Sequence, residues 1–254
     1  MILFGAGKLI ATPTADAAGN AIAVPTPVTI AVLQDVSVDF DYDTKTLHGE
    51  KQFAVAVARG KAKIGWKAKS GDFMAAALGS LLLGSQPTAS RKAAVVDFAT
   101  TVPASTPYTV TIAPPSSGTF VADLGVTNAL TGAALTRVAS APAAGQYSLV
   151  VSTGVYTFAA ADTAKAMLIS YEYAVSSDTT AQLFAISNNL MGYTPTFSAI
   201  FYNEYSGKKL VMKLNANVMG KQGLPFKNDD FVMTDFDAES FADASGSVGY
   251  ICQY

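Results

Sequence analysis

Histidine and cysteine, the side chains most often found at nucleophilic and metal centres, occur once each, as His48 and Cys252. A structural zinc site normally takes four such ligands, so a His/Cys metal centre is not expected. One cysteine cannot close an internal disulfide, which excludes a disulfide scaffold. A Ser-His-Asp triad would have to use His48, which sits between Leu47 and Gly49 at the expected tip of a hairpin. No Gly-x-Ser-x-Gly pattern marks a nucleophile to go with it. Carboxylates are paired at Asp39 with Asp41 and at Asp235 with Asp237, and a glycosidase needs only two. A single tryptophan is thin provision for a sugar cleft. The cluster Asp229, Asp230, Asp235, Asp237 and Glu239 lacks the spacing and central glycine of a calcium loop. Gly5-Ala6-Gly7-Lys8 lacks the upstream glycine of a phosphate loop, and Leu9 stands where that loop has Ser or Thr. The dinucleotide fingerprint fails too, because Ile10 occupies a required glycine position. These residues predict a protein that is not an enzyme and that holds no metal or cofactor.

The elements around them follow from composition and periodicity. The chain has 254 residues, half of them hydrophobic, but only 14% charged, with a net charge of −2. That balance excludes a disordered chain and a domain that grips nucleic acid over its whole surface. Alanine dominates the apolar half, and so little surface charge suggests that other copies cover part of the surface. The start Met1-Ile2-Leu3-Phe4 lacks the basic region of a signal peptide, so no export signal is expected. Phe73 to Leu83, the longest apolar stretch, falls well short of the roughly 20 residues that span a bilayer as a helix. Without an export signal a membrane barrel has no route either, and no membrane partner is expected.

Strict alternation from Gln34 puts Val36, Val38, Phe40 and Tyr42 on one face of a strand and Asp35, Ser37, Asp39, Asp41 and Asp43 on the other. Phe53, Val55 and Val57 keep the apolar set on odd numbers, whereas Ala62, Ile64, Trp66 and Ala68 are even. That phase flip at Arg59-Gly60 predicts a turn or a bulge. Beyond it Lys61, Lys63, Lys67 and Lys69 form a basic ridge, with Trp66 on the opposite, core face. Ser70-Gly71-Asp72 predicts the start of an α-helix over 71–83, stopped by Gly84. Residues from about 100 to 144 are rich in Thr, Ser, Pro, Ala and Gly and read as loop-heavy or as a small added β element. Strands are predicted at 108–112, 146–151, 155–158 and 166–173, with a hairpin loop at Ser152-Thr153-Gly154. A second hairpin is predicted around Ser206-Gly207-Lys208, between strands 196–202 and 209–218. The segment 228–243 is acidic and carries no Lys or Arg.

In this order, the N-terminal arm, acidic-faced strand, hairpin, lysine strand and helix resemble a bacteriophage tail tube protein. The later hairpin and the ending Leu224-Pro225-Phe226-Lys227-Asn228-Asp229-Asp230-Phe231, followed by Phe236-Asp237-Ala238-Glu239-Ser240-Phe241-Ala242-Asp243, resemble tube subunits as well. The resemblance covers roughly residues 1–100 and 176–254. It implies a mainly β fold: an antiparallel β-barrel or β-sandwich with one packed α-helix, in which 1–100 and 176–254 form the tube core. Residues 101–175 would be an added β element or a small β-sandwich insertion. It also implies a structural virion protein made in the bacterial host cytoplasm, whose hexameric rings stack into a tail tube. Viral DNA would pass through the lumen without specific binding, and sheath, tape-measure and other tail proteins would be further partners.

A DNA conduit should not be lined with lysines, because each phosphate contact adds a salt-dependent attraction. Asp35, Asp39, Asp41 and Asp43 are therefore the candidate lumen-facing residues. Lys61, Lys63, Lys67 and Lys69, with Asp229, Asp230, Asp235 and Asp237, are the candidate subunit-interface residues. The bland alternative is two strand faces that neutralise each other across one sheet. The rival function is a carbohydrate- or receptor-binding β module, such as a tail spike or decoration protein, with 108–173 as the binding part.

Overall fold

The computed structural model describes residues 2, 4–226, 228–229 and 231–254. The described chain is mainly β, and its sheets are almost wholly antiparallel. Its first segment holds β1 (Lys8–Ala15), β2 (Val28–Ile30), β3 (Leu33–His48) and β4 (Ala54–Ser70). Next come β5 (Arg91–Thr101), β6 (Thr109–Thr111), β7 (Thr119–Asn128), β8 (Thr136–Arg137), β9 (Gln146–Val150), β10 (Val155–Phe158) and β11 (Ala166–Val175). The last segment holds β12 (Thr196–Tyr205), β13 (Lys208–Gly223), β14 (Thr234–Phe241) and β15 (Gly249–Gln253). No helix among the described residues is long and apolar enough to cross a membrane.

The chain divides into two compact units, 1–87 with 184–254, and Thr88–Leu183. The inserted unit is wider than the 101–175 that the resemblance implies. Strand β5 is the reason: it pairs along its length with β11, so 91–101 belong to the insertion and not to the first unit. Its entry and exit are zipped together, with Thr88 and Leu183 exchanging two backbone hydrogen bonds of 3.0 Å.

The first unit is one sheet in the order β2-β1-β12-β13-β14-β4-β3, with β15 also on β13. β14 and β15 take successive stretches of the same β13 edge, 216–223 and 210–214. The sheet does not close into a barrel, one of the two forms expected. Its end strands β2 and β3 follow one another through Ala31-Val32, a link that turns a corner and does not lay them side by side. The core beneath the sheet gathers Leu9, Ile30, Trp66, Leu81, Phe197 and Phe236, all buried. Trp66 meets Phe197 and Phe201 edge-on, and its indole N–H donates to Asn217 Oδ1 at 3.0 Å. Asn217 is itself wholly buried and satisfied, donating to the carbonyls of Phe197 and Leu214 and accepting from Ser240.

The expected helix over 71–83 is shorter and wound differently. Residues 71–74 are not helical, since the Ser70 hydroxyl accepts from Asp72 N–H and donates to Ala31 C=O in a local turn. From Ala75 the chain makes one tight turn and then a wide one over Ala77–Leu82, where Leu83 N–H donates five residues back to Leu78 C=O. Gly79 explains how this element packs: a Cβ there would lie 2.0 Å from the Phe184 ring, so the missing side chain seats that ring.

The second unit sets the sheet β5-β11-β7 against β6-β10-β9-β8 around its own core of Val102, Val126, Tyr156, Met167, Ile169 and Tyr171. Asp123 on β7 accepts from the phenol hydroxyls of Tyr147 on β9 (2.7 Å) and Tyr156 on β10 (2.9 Å), clamping one sheet to the other.

Candidate assembly surface

Register on the first unit's sheet determines what its outer face carries. Strand β4 lies between β3 and β14, and buries Trp66 and Ala68 while leaving Lys67 and Lys69 exposed. Lys69 lies opposite Asp35 on one side and Asp235 on the other, and Lys67 lies opposite Ser37 and Asp237. Lys63 lies opposite Asp41 and forms a 2.6 Å ion pair with Glu239, diagonally across the pairing with β14. Both partners of that pair are well exposed, so it adds little stability. Asp35, Asp39 and Asp41, expected to line a lumen, and Lys63, Lys67 and Lys69, expected to meet a neighbour, are thus adjacent columns of one face, while Asp43 and Lys61 fall at an irregularity in the pairing. The lysines find acidic surface within their own sheet, before any second copy is considered. Asp235 and Asp237 belong to that same face, whereas Asp229 is exposed outside any strand and Asp230 lies outside the described residues.

The lysine column has one gap. Gly65 stands between Asp39 and Glu239, and a Cβ there would meet nothing within 4 Å. The result is a trench of about 680 Å³ over Gly65 and Gly220, flanked by Asp39, Asp41, Asp237 and Glu239 as well as by Lys63 and Lys67. Among the described residues no three His, Cys, Asp or Glu side chains gather as a metal-binding group. The carboxylates alternate with lysines instead.

The phase flip at Gly60 is a bulge in one continuous strand. Pairing passes from Tyr42 with Ala62 to Thr44 with Arg59, with Asp43, Gly60 and Lys61 at the irregularity. Beyond the bulge β3 and β4 run on together to His48 and Ala54, while β14 stops at Ser240 opposite Ile64. The outer part of the hairpin is therefore a two-stranded arm with no further strand paired to it among the described residues. Sequence periodicity identifies Phe53, Val55 and Val57 of this arm but not that they lack cover: they are 84%, 67% and 66% exposed, and Leu47, outside that periodicity, is 63% exposed. Arg59 stacks over the Tyr42 ring at 4.6 Å on the face that continues the core side of the sheet. His48 is exposed near the arm tip.

At its root the arm parts from β15. Between them lies an apolar groove of about 270 Å³ lined by Phe40 and Ile64 from the hairpin, Met212 and Leu214 from β13, and Tyr250 and Ile251 from β15. Nothing in the sequence signals this fork, because it depends on β14 and β15 sharing one edge of β13. No protein-family model matches this chain, and no curated protein matches it in sequence.

Proposed function

We propose that the chain is a structural subunit that polymerises, in the manner of a phage tail tube protein, as stacked hexameric rings around a conduit for viral DNA. The observation that carries this reading is the β3–β4 arm. A two-stranded ribbon with open edges and uncovered Leu47, Phe53, Val55 and Val57 is costly to leave in water, and burial against another copy relieves that cost. The charged outer face fits a conduit wall. Lys63, Lys67 and Lys69 each have a carboxylate beside them, so a passing phosphate meets alternating charge and little net attraction. The separate sandwich of Thr88–Leu183 is the one feature that favours the rival reading, a carbohydrate- or receptor-binding module.

Electron microscopy of the concentrated protein tests the reading, with stacked rings expected; a particle that stays monomeric or trimeric overturns it. The wall has its own test. Changing Asp39→Asn, Asp41→Asn and Glu239→Gln together strips Lys63 of its counter-charges and makes the face more positive by three charges. The assembled variant is expected to retain DNA at low salt and to release it steeply as salt rises, while the unmodified assembly retains little at either extreme.

A further inference from the structure

We propose that the fork between β15 and the root of the β3–β4 arm is the receptor for the arm of a second copy of this chain. This inference rests on the polymerising role proposed above and assigns the two surfaces that would meet.

Three observations support it. The first is backbone supply. On the side facing the fork, residues 60–63 of β4, at the root of the arm, have no strand partner among the described residues, and among those residues β15 pairs only along its β13 edge. Two unpaired edges converging on a groove form a template for strand addition. The second is chemical match and size. The groove wall is apolar apart from Lys213. The arm offers Tyr42, Leu47, Phe53, Val55 and Val57, all more than two-fifths exposed. Exposed side chains of these sizes present of the order of the ~800 Å² that one partner contributes to a standard stable interface. The third is charge. Residues 44–59 carry Lys45, Lys51 and Arg59 against Glu50 alone, and with the whole chain at −2 the remainder is net acidic. Arms of this charge repel one another, which disfavours pairing of arm with arm.

Donor and acceptor are different surfaces of the same chain. Such a contact is head-to-tail and propagates from copy to copy until it closes a ring or extends a filament, whereas a two-fold dimer would stop at two.

Complementation between two interface variants tests the pairing. Val55→Asp with Val57→Asp spoils the arm and leaves the fork intact; Ile251→Asp, at a residue 60% exposed, spoils the fork and leaves the arm intact. Each variant alone is expected to run at the mass of one chain. An equimolar mixture is expected to run at the mass of two and no higher, since each pair can make one contact only. Fluorescence of Trp66, the sole tryptophan, reports whether the first unit is folded in each case. A variant that fails this check is replaced by Phe53→Asp for the arm or Tyr250→Asp for the fork. If the fork variant assembles like the unmodified protein, or the mixture stays at the mass of one chain, the fork is not the receptor and the polymerising role stands without it. Failure of the unmodified protein to assemble overturns both.

Discussion

Replacing Trp66 with alanine is expected to destabilise the first unit by about 3 to 5 kcal/mol, the range for truncating a buried aromatic. Trp66 is 1% exposed and sits where β4 crosses the middle of the core, edge-on to both Phe197 and Phe201. Most of the loss is packing. Asn217 Oδ1, which accepts the indole N–H, keeps the Ser240 hydroxyl as a donor and is not left unpaired. Trp66→Phe retains a ring against Phe197 and should cost distinctly less. The effect should also be local, because the second unit has a separate core. Urea unfolding followed by circular dichroism is expected to show two transitions, of which only the first unit's moves to lower denaturant. A parallel fall of both would mean that the cores are coupled. Assembly should be lost with the first transition, since the strand that buries Trp66 also carries the lysine column and one half of the arm.

Most of this sheet was legible from alternation alone. The apolar and acidic columns of β3, the switch of phase at Gly60, and Trp66 on the face opposite the lysines are all local consequences of a period of two. What could not be read was which strands lie beside β4. Once β3 and β14 flank it, the acidic and basic ridges cease to be separate surfaces, and that fact depends on pairings between residues about 170 apart in the chain. The helix was misjudged for a local reason with a distant cause: Gly79 reads as a weak point in a helix, and only the Phe184 ring explains it.

The second unit was harder to read because its strands are irregular. Strand β7 carries extra residues at Val121 and Leu124, where its pairing with β11 shifts, so its apolar residues lose their period and the segment resembles loop. Strand β5 has a similar irregularity at Val96-Asp97. The clamp at Asp123 had no sequence signal at all, since Asp123, Tyr147 and Tyr156 come together only when two sheets stack.

That clamp carries the second large expectation. Asp123→Ala leaves the hydroxyls of Tyr147 and Tyr156 buried without their acceptor. Hydrogen bonds to a charged acceptor contribute about 1.5 to 3 kcal/mol each, so the second unit should lose about 3 kcal/mol or more. Arg137, 3.8 Å from the carboxylate, is half exposed and adds little when its partner goes. Adding Tyr147→Phe and Tyr156→Phe to Asp123→Ala should recover part of the loss, because it removes the stranded donors and keeps the rings; a further fall would show that packing of the phenols, not their hydrogen bonds, was decisive. The same geometry sets an alkaline limit. Burial first, and then the hydrogen bond to Asp123 and its charge, push both phenols well above the usual tyrosine range. A raised folded-state value holds the proton in the native unit, so this contribution is complete below the ordinary tyrosine value of about 10 and fades as pH climbs above it. Unfolding then frees both phenols to ionise. Phenolate absorbance should accordingly rise in two stages with pH, exposed tyrosines first and this pair only as the second unit unfolds, and in Asp123→Ala the second stage should move to lower pH.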